Sequence, residues 1–185
     1  MITEVNNKNL PKIYPITSSD FSLENHYKDK ARVGSFFQYR KKEASKESIK
    51  SDLSFNESSS RVILNSAHWD FFSDKFLGLH LTADDLKDLT KRPISKKKIL
   101  GSSCHDKDGI VRALAIDVDY IFVSPILENL KGENGSVIGW EGFKELTNGI
   151  NIPAYALGGL SPEDLKVSVS YGGYGVAGIR EFSLG

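Results

Sequence analysis

Eight short apolar runs recur along the chain, each closed by turn residues or by the start of an amphipathic segment. They are Lys12–Thr17, Ser35–Arg40, Arg61–Asn65, Gly78–Thr82, Ile99–Ser103, Tyr120–Ile126, Pro153–Gly158 and Gly175–Ile179. Runs this short, rich in Val, Ile, Leu, Phe and Tyr and apolar on both faces, read as strands covered from both sides, as in a parallel sheet. Helical spacing fills the intervals at Leu23–Ala31, Ser45–Leu53, Ala67–Asp74, Ala83–Leu89, Lys107–Ile116, Trp140–Leu146 and Pro162–Tyr171. In Lys107–Ile116 the apolar positions Ile110, Val111, Leu114 and Ala115 fall on a helical stripe behind the cap candidate Asp106. Ser161-Pro162-Glu163-Asp164 combines a cap, an early proline and acids at the positive end of a helix dipole. Strand followed by helix, repeated in this way, requires right-handed crossovers and a parallel sheet with helices outside.

The expected fold class is therefore α/β, a (β/α)₈ TIM barrel, which leaves no strand edge open. Such barrels take roughly 250 residues and rarely fewer than about 200. At 185 residues the chain must be a compact one, with some helices short or missing. The weakest candidates follow the second and third strands, where Phe55–Ser60 is turn-like and Ala67–Asp74 allows barely two turns. An open doubly wound sheet is the alternative, although it usually uses fewer strands at this length.

With 24 Lys+Arg against 24 Asp+Glu there is no global field to hold a polyanion, so no nucleic-acid partner is expected. The Lys96-Lys97-Lys98 run reads as a solvated approach to the fifth strand. Length and composition suit a single domain over residues 1–185. The single cysteine, Cys104, forms no internal disulfide and has no resolving partner, so the expectation is a buried, inert thiol. The opening MITEVNNKNLPK lacks the apolar core of a signal peptide, and no run reaches membrane length. A cytoplasmic protein without a membrane partner is expected; composition is silent on oligomeric state.

In a barrel, chemistry gathers at the carboxyl ends of the strands, where the loops surround one mouth. Polar residues collect there: Gln38, Arg40 and Lys42, then Asn65, then His80, Thr82 and Asp85, then Ser103 and His105, then Ser124, Asn129 and Lys131, and last Gly158-Gly159. In extended chain Gln38, Arg40 and Lys42 share one side. Two cations and an amide suit a pyrophosphate, because guanidinium forks onto oxygen pairs and ammonium acts as a point charge; an exposed basic strand end fits these residues equally. Leu157-Gly158-Gly159-Leu160-Ser161-Pro162 is a strand, two glycines and a helix start. Its amides can approach an anion closely, or the glycines can serve an ordinary turn. Asp84-Asp85 reads as a magnesium carboxylate pair or as an acidic first helical turn, and His105 as a ligand-orienting group or a structural residue. His26, His68, His80 and His105 lack zinc-like spacing.

The ordered set QYRKK, VILNS, GLHLTADDL, ILGSSCH, DYIFVSPI, IPAYALGGLSPEDL and GYGVAGI resembles the thiamine phosphate synthase family, with its thiazole tautomerase relatives, from about Lys12 to Phe182. The resemblance implies a compact (β/α)₈ barrel. It also implies a reaction in which an aminopyrimidine diphosphate ionises and a thiazole phosphate nitrogen attacks the resulting cation, helped by a magnesium ion (Mg2+) and by cationic side chains. Small phosphorylated pyrimidine and thiazole ligands are the implied partners. Carried across by motif, Gln38, Arg40 and Lys42 contact the pyrophosphate or pyrimidine end, with Asn65 beside them. Asp85 matches a magnesium carboxylate, Ser103 the pyrophosphate-side serine and Lys131 the mobile-loop lysine. Gly158 and Gly159 match the nest for the thiazole phosphate.

Several positions depart from the pattern. Ser66 stands where the synthases carry a second magnesium aspartate, and Leu127-Glu128-Asn129-Leu130 replaces a threonine-rich stretch. Arg180 replaces a phosphate-binding serine, and Pro125 occupies the place of the tautomerase histidine. The alternative function is a catalytically impaired relative that binds thiamine phosphate or a similar small molecule. A third reading is an isomerase using His105 or Glu128 as acid or base.

Overall fold

A computed structural model describes residues 10–21, 36–54, 61–128, 136–180 and 182. Its strands are β1 (Ile13–Pro15), β2 (Phe37–Tyr39), β3 (Val62–Asn65), β4 (Gly78–Leu81), β5 (Ile99–Cys104), β6 (Tyr120–Val123), β7 (Ala154–Leu157) and β8 (Gly175–Gly178). They form one eight-stranded sheet in the order β1-β8-β7-β6-β5-β4-β3-β2. Each ladder is parallel. The two ends of that order meet at a bridge between Ile16 and Gln38, where the Thr17 amide donates to the Gln38 carbonyl at 3.0 Å. The expected barrel is the observed one, and every predicted strand is present, seven of them shortened by one or more residues and β5 extended by one to Cys104.

Alternation along the strands sorts the core into two layers. Outward residues such as Phe37, Tyr39, Leu64, Leu79, Leu81, Leu100, Ile121, Val123 and Val176 pack beneath the helices in one buried cluster. Inward residues Tyr14, Ile16, Ile63, Ile99, Tyr120, Phe122, Tyr155 and Ala177 fill the lumen in another. The lumen is largely aromatic: the Tyr14 ring meets Phe36, Phe122 and Tyr155 edge-on at centroid distances of 4.8, 4.9 and 5.3 Å. Flat rings at these separations fill a narrow barrel and favour edge-to-face geometry.

The helices are α1 (Lys46–Leu53), α2 (Asp85–Asp88), α3 (Lys107–Ala115), α4 (Gly139–Thr147) and α5 (Leu165–Ser170). The segment after β2 is firmer than expected: Ser45 caps the Ser48 amide at 3.1 Å, and Ile49 and Leu53 are buried. After β3 the chain makes a 3₁₀ segment, Ser66–Phe71, capped by Asn65, and after β4 the helix is the single turn α2. The buried stripe of α3 also differs from the predicted one. Ile110, Ala113 and Ile116 face the sheet, while Val111 and Leu114 are 55% and 42% exposed. The small Ala113 brings the helix close to β5, and the bulkier neighbours turn outward. The predicted helix Leu23–Ala31 and the turn Phe55–Ser60 lie outside the described residues.

Candidate active site

The end of β2 follows the predicted alternation through Gln38 and Arg40, but Lys42 lies in the turn after the strand, so the predicted shared side of Gln38, Arg40 and Lys42 does not extend to it. Tyr39 and Lys41 turn outward, where the Tyr39 hydroxyl donates to Asp52 Oδ2 at 2.8 Å and Lys41 Nζ donates to the same oxygen at 3.1 Å. Gln38 turns into the lumen and is 1% exposed, and its Oε1 meets no donor among the described residues. Arg40 stands partly buried above it, and Lys42 is exposed. Arg40 acts on two imidazoles: burial first and its positive charge second hold His68 below the usual range, and the same causes push His80 down to about 3. Its charge therefore bears on both the β3 rim and the lumen.

Between β3 and β4 the rim is bound together by Asp85. Its Oδ2 accepts from the Thr82 amide at 2.6 Å, from Thr82 Oγ1 at 2.7 Å and from Ser66 Oγ at 2.5 Å. Oδ1 has no hydrogen bond within the described residues. Ser66 thus meets, as a hydroxyl donor, the carboxylate beside which the family pattern puts a second acid. Asn65 is 3% exposed and spends its Oδ1 on the Ala67 amide at 3.0 Å. The Lys41 amide donates to His68 Nε2 at 3.1 Å, which ties the 3₁₀ segment to β2.

Sequence reasoning picked out Ser103 but missed what holds it. Ser103 Oγ lies 2.9 Å from His80 Nε2, His80 Nδ1 lies 2.9 Å from the Tyr120 hydroxyl, and that hydroxyl lies 2.7 Å from the Tyr14 hydroxyl. A Cβ at Gly101 would fall 2.0 Å from the Tyr120 ring, so only glycine lets that ring cross the lumen to His80. The available signal was the pairing of a bare Gly101 with Tyr120 in register.

His105 is exposed at the end of β5, and its Nδ1–H donates to the Ser124 carbonyl at 2.7 Å, which anchors the ring to the end of β6. Gly158 and Gly159 adopt left-handed φ of 101° and 69°, as the paired-glycine turn predicts. Their amides donate to no backbone carbonyl among the described residues. The turn is backed by the β6 loop: a Cβ at Gly159 would meet the Glu128 carbonyl oxygen at 2.7 Å, and the Leu127 amide donates to the Gly158 carbonyl at 3.1 Å. Asp164 Oδ2 takes the Ser161 amide at 2.8 Å, so the helix start behind the turn is partly capped by its own acid. Arg180 is exposed just past β8. Lys131 and Asn129 lie outside the described residues. Cys104 is buried, and burial pushes its thiol up to about 11, as suits an inert residue.

Because the strands are parallel, Gln38, Arg40, Asn65, Asp85, Ser103, His105, Gly158, Gly159 and Arg180 all stand at one end of the barrel. The arrangement pairs cations and bare amides with an unused acceptor, which suits a ligand carrying both anionic oxygens and an N–H donor. Among the described residues no group of three His, Cys, Asp or Glu converges as a metal site.

Known proteins point the same way. The chain is 33% identical over 105 residues to a putative thiamine-phosphate synthase 2 of Aquifex aeolicus, covering 57% of this chain and 56% of that protein. It is 34% identical over 108 residues to the thiamine-phosphate synthase of Streptococcus suis, covering 57% of this chain and 47% of that protein. The matched stretch thus spans about half the length of these relatives. In three dimensions the chain resembles a thiamine phosphate pyrophosphorylase from Pyrococcus furiosus with a TM-score of 0.64 at 18% identity, over 91% of this chain and 85% of that one, a likeness of fold. The family model for thiamine monophosphate synthase matches residues 13–182, from the first strand to the buried Phe182 that follows the last, and the chain belongs to that family.

Proposed function

We propose that the barrel mouth makes thiamine phosphate, the product named for the relatives, by joining an aminopyrimidine diphosphate to a thiazole phosphate with release of pyrophosphate. The observation that carries this reading is Gln38 Oε1, a buried acceptor without a donor among the described residues, two positions before the partly buried Arg40. A pyrimidine amino group supplies the missing donor, and a diphosphate on the same molecule supplies the anion that Arg40 attracts.

In this reading Gln38 orients the pyrimidine, and Arg40, Lys42, Ser103 and Lys131 hold the diphosphate, with Asn65 and His105 flanking them. The amides of Gly158 and Gly159 hold the thiazole phosphate, and Arg180 adds positive charge on that side. The methylene carbon–oxygen bond breaks with both electrons going to the diphosphate. The thiazole nitrogen then forms the new carbon–nitrogen bond with its lone pair, and no proton is transferred. The task is to stabilise negative charge on the leaving group, which preorganised donors and cations do well away from bulk water.

Magnesium fits this mouth through a single carboxylate. Among the described residues Asp85 keeps Oδ1 without a hydrogen bond while Oδ2 takes Ser66 and Thr82, and magnesium commonly uses one or two carboxylates together with substrate phosphates. When bound, it supplies further charge stabilisation for the pyrophosphate. A cytoplasmic setting suits the unpaired Cys104, and among the described residues no helix is long and apolar enough to cross a membrane.

The direct test incubates the purified protein with both phosphorylated substrates and magnesium. Thiamine phosphate should form, with pyrophosphate in equal amount. Absence of product above background, together with measurable pyrophosphate binding, would overturn the synthase reading in favour of a binding relative.

A further inference from the structure

Four side chains cross the lumen in a line. Tyr14, Tyr120 and His80 are 0%, 0% and 1% exposed, and the line ends at the partly exposed Ser103 on the rim. The oxygens and ring nitrogens are spaced 2.7, 2.9 and 2.9 Å apart from Tyr14 to Ser103. A neutral imidazole carries one ring proton, so this chain of hydrogen bonds has two possible directions.

If Nδ1 carries the proton, Ser103 donates to His80 Nε2, Nδ1–H donates to Tyr120, and Tyr120 donates to Tyr14. The Tyr14 hydroxyl hydrogen is then left over. Among the described residues that hydroxyl has no hydrogen-bond partner besides Tyr120, and its ring packs against those of Phe36, Tyr120, Phe122 and Tyr155. The one other hydroxyl among those rings, that of Tyr155, donates to the Pro11 carbonyl at 2.7 Å and makes no hydrogen bond with the Tyr14 hydroxyl. If Nε2 carries the proton, every hydrogen has an acceptor: Tyr14 donates to Tyr120, Tyr120 to Nδ1, and Nε2–H to Ser103. The hydroxyl hydrogen of Ser103 is then released toward the mouth. A buried O–H with no acceptor carries its whole desolvation penalty, and the second direction avoids it.

We propose that the lumen chain runs one way, from Tyr14 to Ser103, with His80 donating through Nε2 so that Ser103 presents its hydroxyl hydrogen to an anionic oxygen at the mouth. His80 is then a positioning residue, acting on the ligand through Ser103. The direction of the chain follows from the protein alone, whereas naming the anion as pyrophosphate rests on the function proposed above.

Two measurements test this separately. In protein labelled with ¹⁵N-histidine near pH 7.5, long-range proton–nitrogen correlations report which ring nitrogen is protonated, and the His80 signals are assigned by their loss in His80→Gln. Protonation at Nε2 is expected, and protonation at Nδ1 overturns the proposal. The second measurement is calorimetric titration with pyrophosphate. His80→Leu removes the donor to Ser103 and should weaken binding about tenfold, roughly 1.4 kcal/mol. His80→Gln keeps an N–H at that reach and should stay within about threefold of the unaltered protein, a rescue by the conservative variant that loss of packing alone would not give. Tight binding retained in His80→Leu overturns the positioning role. Should the unaltered protein bind no pyrophosphate, the functional reading fails, and the tautomer still decides the direction of the chain.

Discussion

The two ends of this barrel use their polar residues in opposite ways. At the amino end, long side chains reach back to the chain's own carbonyls. The hydroxyls of Tyr155 and Tyr174 donate to the Pro11 and Leu10 carbonyls at 2.7 and 2.8 Å. Asp119 Oδ2 accepts from the Leu100 amide and from Arg92 Nη2, both at 2.7 Å. Arg92 also donates to the carbonyls of Lys98 and Asp117, and Lys98 Nζ donates to those of Phe76 and Asp74. At the carboxyl end, Gln38 Oε1 and the Gly158 and Gly159 amides keep capacity that the described protein does not use. Apart from the buried Nε of Arg92, which meets no acceptor among the described residues, one end spends its polar groups on the fold itself, and the other leaves several of them unspent, a division that suits a barrel whose site lies at the carboxyl ends of its strands.

The sharpest way to break that contrast is to remove charge from the mouth. Arg40→Met should lower kcat/KM on the order of 10²- to 10³-fold, as loss of a preorganised charge-stabilising donor does, while the melting temperature hardly moves. Steady-state assays paired with thermal melts will show whether the two separate. The floor should respond in reverse. Arg92→Met removes the guanidinium that binds Asp119 and the Lys98 and Asp117 carbonyls and should cost about 3 kcal/mol, seen in urea titration and as a Tm lower by roughly 6–12 °C. Activity per folded molecule should be retained, and an equal loss of both would erase the distinction.

Acid supplies a third probe. His80, facing Arg40, Tyr120 and Ser103, is held down to about 3 when folded, whereas an unfolded histidine titrates near 6.5. The unfolded chain therefore binds more protons in that interval. Stability should be full above about pH 6.5 and fall as pH drops, by on the order of 3 kcal/mol at pH 4 from this group. His68, also lowered, adds in the same direction. Urea unfolding at pH 7.5 and 4 should show a smaller difference for His80→Gln than for the unaltered protein. The smallest expected effect is at the metal carboxylate. Ser66→Asp replaces a donor to Asp85 with a second negative charge, costing about 1 kcal/mol without metal and raising magnesium affinity about tenfold. Calorimetry with magnesium alone reads this, and an unchanged response would break the assignment of metal to Asp85.

The strands and their closure into a barrel were legible because parallel strands carry unbroken apolar runs, and the face of Gln38 and Arg40 was legible because strand alternation is strict. The face of α3 was not: the apolar pattern marked Val111 and Leu114, but side-chain size decided the packing, and Ala113 is the residue that lets the helix approach the sheet. The lumen chain was equally hidden. His80 and Tyr120 are 40 residues apart and meet only because both flank Gly101 in the register of β4, β5 and β6. The clasp of Ser66 on Asp85 depends in the same way on two neighbouring strand ends, which a linear motif shows only as separate residues.

The outward turn of Tyr39 and Lys41 has a mechanical consequence. Both grip one oxygen of Asp52 in α1, so the residues on either side of Arg40 are moored to that helix. The height at which the guanidinium rides is thereby coupled to the seating of α1, a helix on the outer wall. A ligand that draws Arg40 inward loads those moorings, and slower amide exchange in α1 would signal occupancy from the far side of the wall.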